Sequence, residues 1–324
     1  MKLIGVKDIY FLSVITVIQV VSWLPSYRLK NSLVRLIAYS AYYLSSRKRR
    51  LSEQSVAKAF DGKLTQRQIR AVVKRSFYEF WCDTFAMLPS KTERLAIRQA
   101  HLQGKQHLQR ALDNGKGAIL WVSNHFGRMT LSKQIMRENG FAVHKVHIED
   151  HLGGFQNDGA PTWVQHRIIR PFFERCERAV IAGTIYLPKS DSLAFTRTFQ
   201  ERLKENAIVC AAGDAKSGKK FIPVKFLWLT DYFPTGLVSL AKLSGAAMLP
   251  LFCVQETGDR ASIIIESPIS IDRDDDRERC LEKAVTQYVR LLESYIKKYP
   301  EQYRNWHELT GFDSRGTASN LSAR

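Results

Sequence analysis

The chain has 324 residues, with 49 Lys+Arg against 31 Asp+Glu, a formal net charge of +18. Its hydrophobic fraction of 45% is that of a globular protein with a substantial core, in one large domain or two small ones. So large an excess of base calls for an anionic partner, namely nucleic acid, acidic lipid or an acidic carrier protein. The absence of any zinc-finger spacing or RNP motif argues against nucleic acid.

From the N-terminus, Ile9 to Tyr27 is 19 residues without a charge, near the minimum for spanning a bilayer, with Trp23 and Tyr27 where an interfacial aromatic belt falls. A cleaved signal peptide and a buried core helix are the competing readings. The first lacks a small-residue cleavage site. A second apolar stretch, Leu33 to Leu44, is broken by Arg35 and suits the membrane interface. The basic run Arg47-Lys48-Arg49-Arg50 suits acidic headgroups. Base outweighs Lys2 and Lys7 beyond the apolar run, so the rest of the chain is expected on the cytoplasmic side.

Thr65-Gln-Arg-Gln68 reads as a capping box that opens a helix over Leu64–Leu88. Ile69, Val72, Val73, Phe77, Phe80, Trp81 and Phe85 recur along it at three- to four-residue spacing. From Gly117 onward, short apolar runs alternate with helical patterns. Strands are expected at Ala118–Val122, Ala142–Ile148, Ala179–Ala182, Ala207–Ala212, Phe221–Trp228, Ala247–Val254 and Ser262–Ile265. Helices are expected at Leu131–Asn139, Asp191–Lys204, Thr235–Leu243 with Gly245 as C-cap, and Arg277–Lys298 before Pro300. This alternation predicts an α/β fold with a mixed or mostly parallel central sheet flanked by helices, in a single domain over residues 51–316. A membrane-anchoring helix and basic juxtamembrane segment in residues 1–50 precede it, and a polar tail, 317–324, follows. The five cysteines are odd in number and widely spaced, which suits reduced, mostly buried thiols.

Two strand ends carry the candidate chemistry. Gly117–Val122 runs into Ser123-Asn124-His125-Phe126-Gly127, delivering a histidine to a carboxyl edge where α/β sheets bind ligands. Imidazole is suited to taking a proton from a hydroxyl near neutral pH. A second buried strand ends in Gly213-Asp214, so His125 and Asp214 can meet at one edge as a base and the acid that orients it. Lys216, Lys219 and Lys220 follow, as phosphate-steadying or merely solvated side chains. His144, His147 and His151 invite a metal reading, but odd spacing within a strand sends the first two to opposite faces. No metal or cofactor is expected. The Gly-Lys pairs at Gly115 and Gly218 lack the rest of a P-loop.

The chain resembles the lipid A late acyltransferases (lauroyl/myristoyl type), within the lysophospholipid acyltransferase group. Beyond the N-terminal apolar stretch, the likeness rests on Gly104-Lys-Gln-His-Leu-Gln-Arg-Ala-Leu and on Gly115 through Gly127. It continues with Leu203-Lys-Glu-Asn…Gly213-Asp214, Pro234 through Pro250, and Tyr299-Pro-Glu-Gln-Tyr-Arg-Asn-Trp-His307. The resemblance implies transfer of an acyl group from an acyl carrier protein or acyl-CoA thioester to a lipid or other amphipathic acceptor, at the bilayer face of the bacterial inner membrane. It makes His125 the base and puts Asn124 and Gly127 in the same motif. Arg128 stands where a small polar residue is more usual. Arginines in the region of Arg167, Arg170 and Arg175 are expected to approach a phosphorylated acceptor.

The chain departs from the family at Thr130, where an acid is usual. Three explanations stand open. Asp214, or Glu149 or Asp150, supplies the carboxylate from elsewhere. The acceptor is an amine or another stronger nucleophile. Or the protein binds lipid or carrier without catalysis.

Overall fold

The computed structural model describes residues 3–24, 26–89, 94, 97–98, 100–148, 151–152, 155–156, 162–187, 192–256, 260–272 and 276–309. Four helices come first: α1 (Val6–Ser22), α2 (Tyr27–Leu44), α3 (Ser46–Ala59) and α4 (Gln66–Phe85). Then follow β1 (His101–Gln103), α5 (Lys105–Asp113), β2 (Ala118–Val122), α6 (Met129–Glu138) and β3 (Val143–Ile148). After a two-residue ladder of β4 (His151–Leu152) and β5 (Phe155–Gln156) come α7 (Arg170–Arg178), β6 (Gly183–Leu187), α8 (Ser192–Lys204) and β7 (Ile208–Ala212). The chain continues through β8 (Phe221–Phe226), β9 (Leu229–Pro234), α9 (Gly236–Ser244), β10 (Ala247–Gln255), β11 (Ala261–Ile265) and α10 (Arg277–Lys298).

Seven strands form the main sheet in the order β1-β11-β10-β2-β7-β3-β6. Every pairing is parallel except β10 with β11. The expected mixed, mostly parallel α/β sheet is therefore present. β2 lies inside it and all five of its residues are buried, as a parallel strand covered on both faces requires. Alternation along β2 divides the core. Ile119 and Trp121 join the cluster under α8, α9 and α10, with Phe199, Val238 and Val285. Ala118, Leu120 and Val122 join the opposite cluster, with Leu108 of α5 and Ile135 of α6. A third cluster holds α1, α2 and α4 against residues 164–176.

The local signals account for several elements as drawn. Thr65 and Gln68 close the capping box reciprocally, at 3.4 and 2.8 Å. Gly245, at φ +74°, ends α9 and donates to the Ala241 carbonyl. Asp276 caps α10 through the Glu278 and Arg279 amides. Four of the five cysteines are buried and all are free.

Three expectations need correction. Ala179–Ala182 is the exit of α7, with Val180 and Ile181 donating back to Glu177, and the strand is Gly183–Leu187. The run Phe221–Trp228 is the first arm of a hairpin. Leu227, at φ 56°, turns the chain, and β9 returns along β8. Ile9–Tyr27 is shared between two helices, and no helix among the described residues is long and apolar enough to cross a membrane.

α1 is instead fastened to the domain. Phe11, Val14, Ile15, Ile18 and Val21 are buried on one face. The fully buried Asp8 accepts from the Gly5 amide at 2.6 Å, the Thr162 hydroxyl at 2.8 Å and the Gln165 amide at 2.5 Å. The basic run that was to meet headgroups opens α3. Arg47 and Arg50 are exposed, whereas Lys48 lies over the Phe77 and Phe80 rings and Arg49 donates to the Tyr42 and Tyr43 carbonyls. Glu149, Asp150 and the tail 317–324 lie outside the described residues.

Candidate active site

The register of the sheet brings the two candidate strand ends together. Val122 of β2 pairs with Ala212 of β7, and the Gly213 amide extends the ladder to the Val122 carbonyl at 2.8 Å. Asp214 therefore falls beside Ser123 and Asn124. Gly213 is required there, since a Cβ would sit 2.1 Å from the Trp121 indole nitrogen. The buried Asp214 carboxylate accepts from the Ser123 hydroxyl and, at 2.8 Å, from the Asn124 amide. The Ser123 hydroxyl in turn accepts from the His125 and Phe126 amides at 3.1 and 3.0 Å. Asp214 thus holds the backbone of the turn that carries His125. It meets Ser123 and Asn124 rather than the imidazole.

The other side of the turn is held by the C-terminal segment. The Arg304 amide donates to the His125 carbonyl at 2.7 Å, and its guanidinium to the Asn124 carbonyl at 2.7 Å. Phe126 forms an isolated bridge with Tyr303, and the Gly127 amide donates to the Gln302 carbonyl at 3.0 Å. Gly127 has φ +69°, and a Cβ would lie 2.1 Å from the Cys253 carbonyl oxygen, so the residue type is dictated by close backbone approach.

Sequence reasoning missed two carboxylates here. Asp83 of α4 accepts from the Thr130 amide at 2.8 Å and from Arg304 at 2.9 Å. It therefore brings a negative charge to the first turn of α6, where Thr130 lacks one and where a helix favours it. Glu79, one turn earlier on α4, accepts from Arg75 at 2.9 Å and from Arg128 at 2.7 Å. Two acids on the buried side of an otherwise apolar helix face were the available signal. His307, which ends the Tyr299–His307 motif, and Glu308 next to it also lie within electrostatic reach of His125. The carboxylate of Glu308 lies 3.7 Å from the His307 ring.

The electrostatics favour a neutral imidazole at position 125. Burial pushes the His125 pKa below its usual range. Asp214 and Glu308 oppose this, while Arg304 and Lys216 add to it. Lys216 is itself clamped to Asp231 at 2.7 and 2.8 Å, and Lys220 to Glu278 at 2.5 Å. The His307 pKa is pushed down to about 4, first by burial and then by Lys48. A neutral imidazole can accept a proton at once, as general-base catalysis requires.

The remaining candidates sit elsewhere. Arg167 is exposed on the π-helical turn Gln165–Ile169, and Arg170 opens α7. Both are on the segment packed against α1, and none of the bonds around His125 involves them. His144 and His147 lie on β3 opposite Gly183 and Tyr186 of β6.

The turn bearing His125, fixed by a buried carboxylate at the carboxyl edge of a mostly parallel sheet, makes this an α/β protein with a candidate proton-transfer site. Residues 171–309 match the family model described as bacterial lipid A biosynthesis acyltransferase. The matched stretch contains Asp214, Arg304, His307 and Glu308 and begins past His125. It supports an enzyme that transfers acyl groups. A search of curated proteins finds no significant match.

Proposed function

We propose that the chain is a membrane-associated acyltransferase that moves an acyl group from an acyl carrier protein or acyl-CoA thioester to a hydroxyl, or an amine, of an amphipathic acceptor. The observation that carries this reading is His125 on a turn held from both sides by Asp214 and Arg304. The His125 imidazole takes the acceptor's proton. The acceptor oxygen then bonds to the thioester carbonyl carbon, the carbon–sulfur bond breaks, and the departing thiolate recovers the proton from the imidazolium. Asp214 serves as a positioning residue and lends its charge to the imidazolium as it forms. Asp83 does the same for the helix start at Thr130. Asn124, which is exposed beside His125, stands where a substrate would arrive.

The surface suits the inner membrane. Leu3, Ile9, Trp23, Leu29, Leu36 and Leu44 are exposed on or beside α1 and α2, and Trp23 is 85% exposed. Arg28 and Arg35 stand exposed on α2, and Arg47 and Arg50 on α3. Apolar and basic groups together fit a helical pair lying in the headgroup layer of an anionic leaflet, with the sheet on the cytoplasmic side.

The acid missing at Thr130 favours a second reading, in which the chain binds lipid or carrier as a non-catalytic partner. His125→Ala separates the two. With acylated carrier protein as donor and membranes as acceptor, this variant is expected to lose at least about a hundredfold in product formation. Unchanged product formation would reject the catalytic role of His125.

A further inference from the structure

Away from the His125 turn, the sheet face under α6 and α7 turns polar. β3 is paired on both sides, with β7 and with β6, and a parallel strand in that position is expected to be apolar on both faces. Val143 meets the expectation and packs in the cluster that holds Ile135 of α6. Two and four residues further on, the same face of β3 carries Lys145 and His147. Lys133 of α6 and Glu177 of α7 close over it. Around them stand Cys210 of β7, in register with Lys145, and Tyr186 of β6, whose ring lies 6.1 Å from that of His147.

One carboxylate oxygen serves two ammonium groups. Glu177 Oε1 accepts from Lys145 and lies 4.0 Å from the Lys133 Nζ. Lys133 is 9% exposed, and its ammonium has no hydrogen-bond partner among the described residues. Two positive charges therefore face one negative charge in a setting where like charges repel strongly and an unbalanced charge is costly. Burial, and after it the Lys133 charge, draws the Lys145 pKa down to about 8, although Glu177 opposes both. The side chains of Lys133, Lys145 and Glu177 keep 10%, 17% and 24% of their surface in solvent, so the cluster is open on one side. An ammonium group only donates, so whatever completes the cluster is an acceptor, and the charge balance makes it an anion. Lys133 offers three N–H groups and Lys145 two beyond its bond to Glu177. A phosphate group, with three or four oxygens, matches them better than a second carboxylate does.

We propose that the gap between Lys133, Lys145 and Glu177 binds a phosphate group, as the free ion or as an ester. The proposal does not depend on the acyl-transfer reading of His125.

The test is isothermal titration of the full chain at low ionic strength. Inorganic phosphate is expected to show saturable binding tighter than about 1 mM. Lys133→Gln and, separately, Lys145→Gln are each expected to weaken it about tenfold, the worth of one charge-assisted hydrogen bond, and two variants guard against one failing to fold. Lys283→Gln, which removes an exposed charge on α10, is expected to leave it unchanged. Sulfate, which does not titrate near neutrality, reads the protonation of Lys145. At pH 8 about half of that amine is neutral and a bound anion recharges it, so sulfate binding is expected to take up roughly half a proton. The uptake shows as a dependence of the heat on the buffer's ionisation enthalpy, and Lys145→Gln is expected to abolish it. Glycerol 3-phosphate and dihexanoyl phosphatidic acid separate the sources. Equal affinity supports a soluble ester, and at least about tenfold tighter binding of the lipid supports a headgroup. No saturable binding of phosphate or sulfate, or binding that survives both lysine substitutions, would overturn the proposal and leave a plain ion-paired cluster.

Discussion

Asp83 brings a carboxylate from a neighbouring helix to the helix start at Thr130. Its side chain is 8% exposed and that of Arg304 is 11%, so the pair is taken largely out of water. Asp83→Asn leaves a buried guanidinium without its countercharge, a change that costs about 3–5 kcal/mol. The expected result is a clear drop in thermal midpoint and in acyl transfer. Adding Thr130→Asp in the same chain is expected to recover about half of the stability, because it returns a carboxylate to the same helix start. No recovery would mean that Asp83 acts only through Arg304. His307 gives a test by pH. Its folded pKa of about 4 lies below the ordinary imidazole value, so between pH 6.5 and 4 the unfolded chain binds a proton that the folded chain does not. Stability from this residue is complete above pH 6.5 and falls as the pH drops through that window. His307→Gln is expected to flatten the decline in denaturation midpoint between pH 7 and pH 5, and an unchanged slope would rule the residue out. The sequence pointed to His125 and Asp214 because each follows an apolar run that breaks off at a polar residue. It did not point to Asp83 or Glu79, because helical periodicity reads the apolar positions and passes over the acids between them.

The elements that were legible are those whose ends carry chemistry of their own. Ala118–Val122 and Arg277–Lys298 have the bounds expected from the sequence, the first between a glycine and a polar turn, the second between Asp276 and Pro300. The misplaced strand at Ala179–Ala182 shows the limit of composition. Four small or apolar residues suit a strand, yet they finish a helix whose last carbonyls still need donors. The hairpin at Leu227 escaped because its turn uses a residue that rarely adopts positive φ, with no Asn-Gly or Gly to announce it. The apolar run Ile9–Tyr27 was read from its length, its lack of charge and its flanking aromatic and basic residues. Asp8, at its start, is what distinguishes a helix docked on protein, and a lone acid before an apolar run carries no such message until Thr162 and Gln165 are seen around it.

For the molecule as a whole, the proposed membrane association rests on the charge of +18 together with the exposed apolar residues of α1 and α2. Binding to vesicles rich in phosphatidylglycerol is expected to exceed binding to phosphatidylcholine vesicles and to weaken as salt screens the basic groups. A residue of binding is expected to survive high salt through the apolar contacts, and Trp23→Ser is expected to reduce it. Equal binding to both vesicle types would refute the headgroup role of the N-terminal arginines.

The attachment of α1 through Asp8 also bears on how the chain comes off the ribosome. Thr162 and Gln165 lie 154 and 157 residues beyond Asp8 in sequence. At about 5–20 residues per second, α1 emerges on the order of ten to thirty seconds before the side chains that receive it have been made. During that interval its apolar face has only α2 and α4 to lean on, without the segment 164–176 that completes the cluster. Seating Asp8 on Thr162 and Gln165 therefore becomes one of the last steps of the domain's assembly.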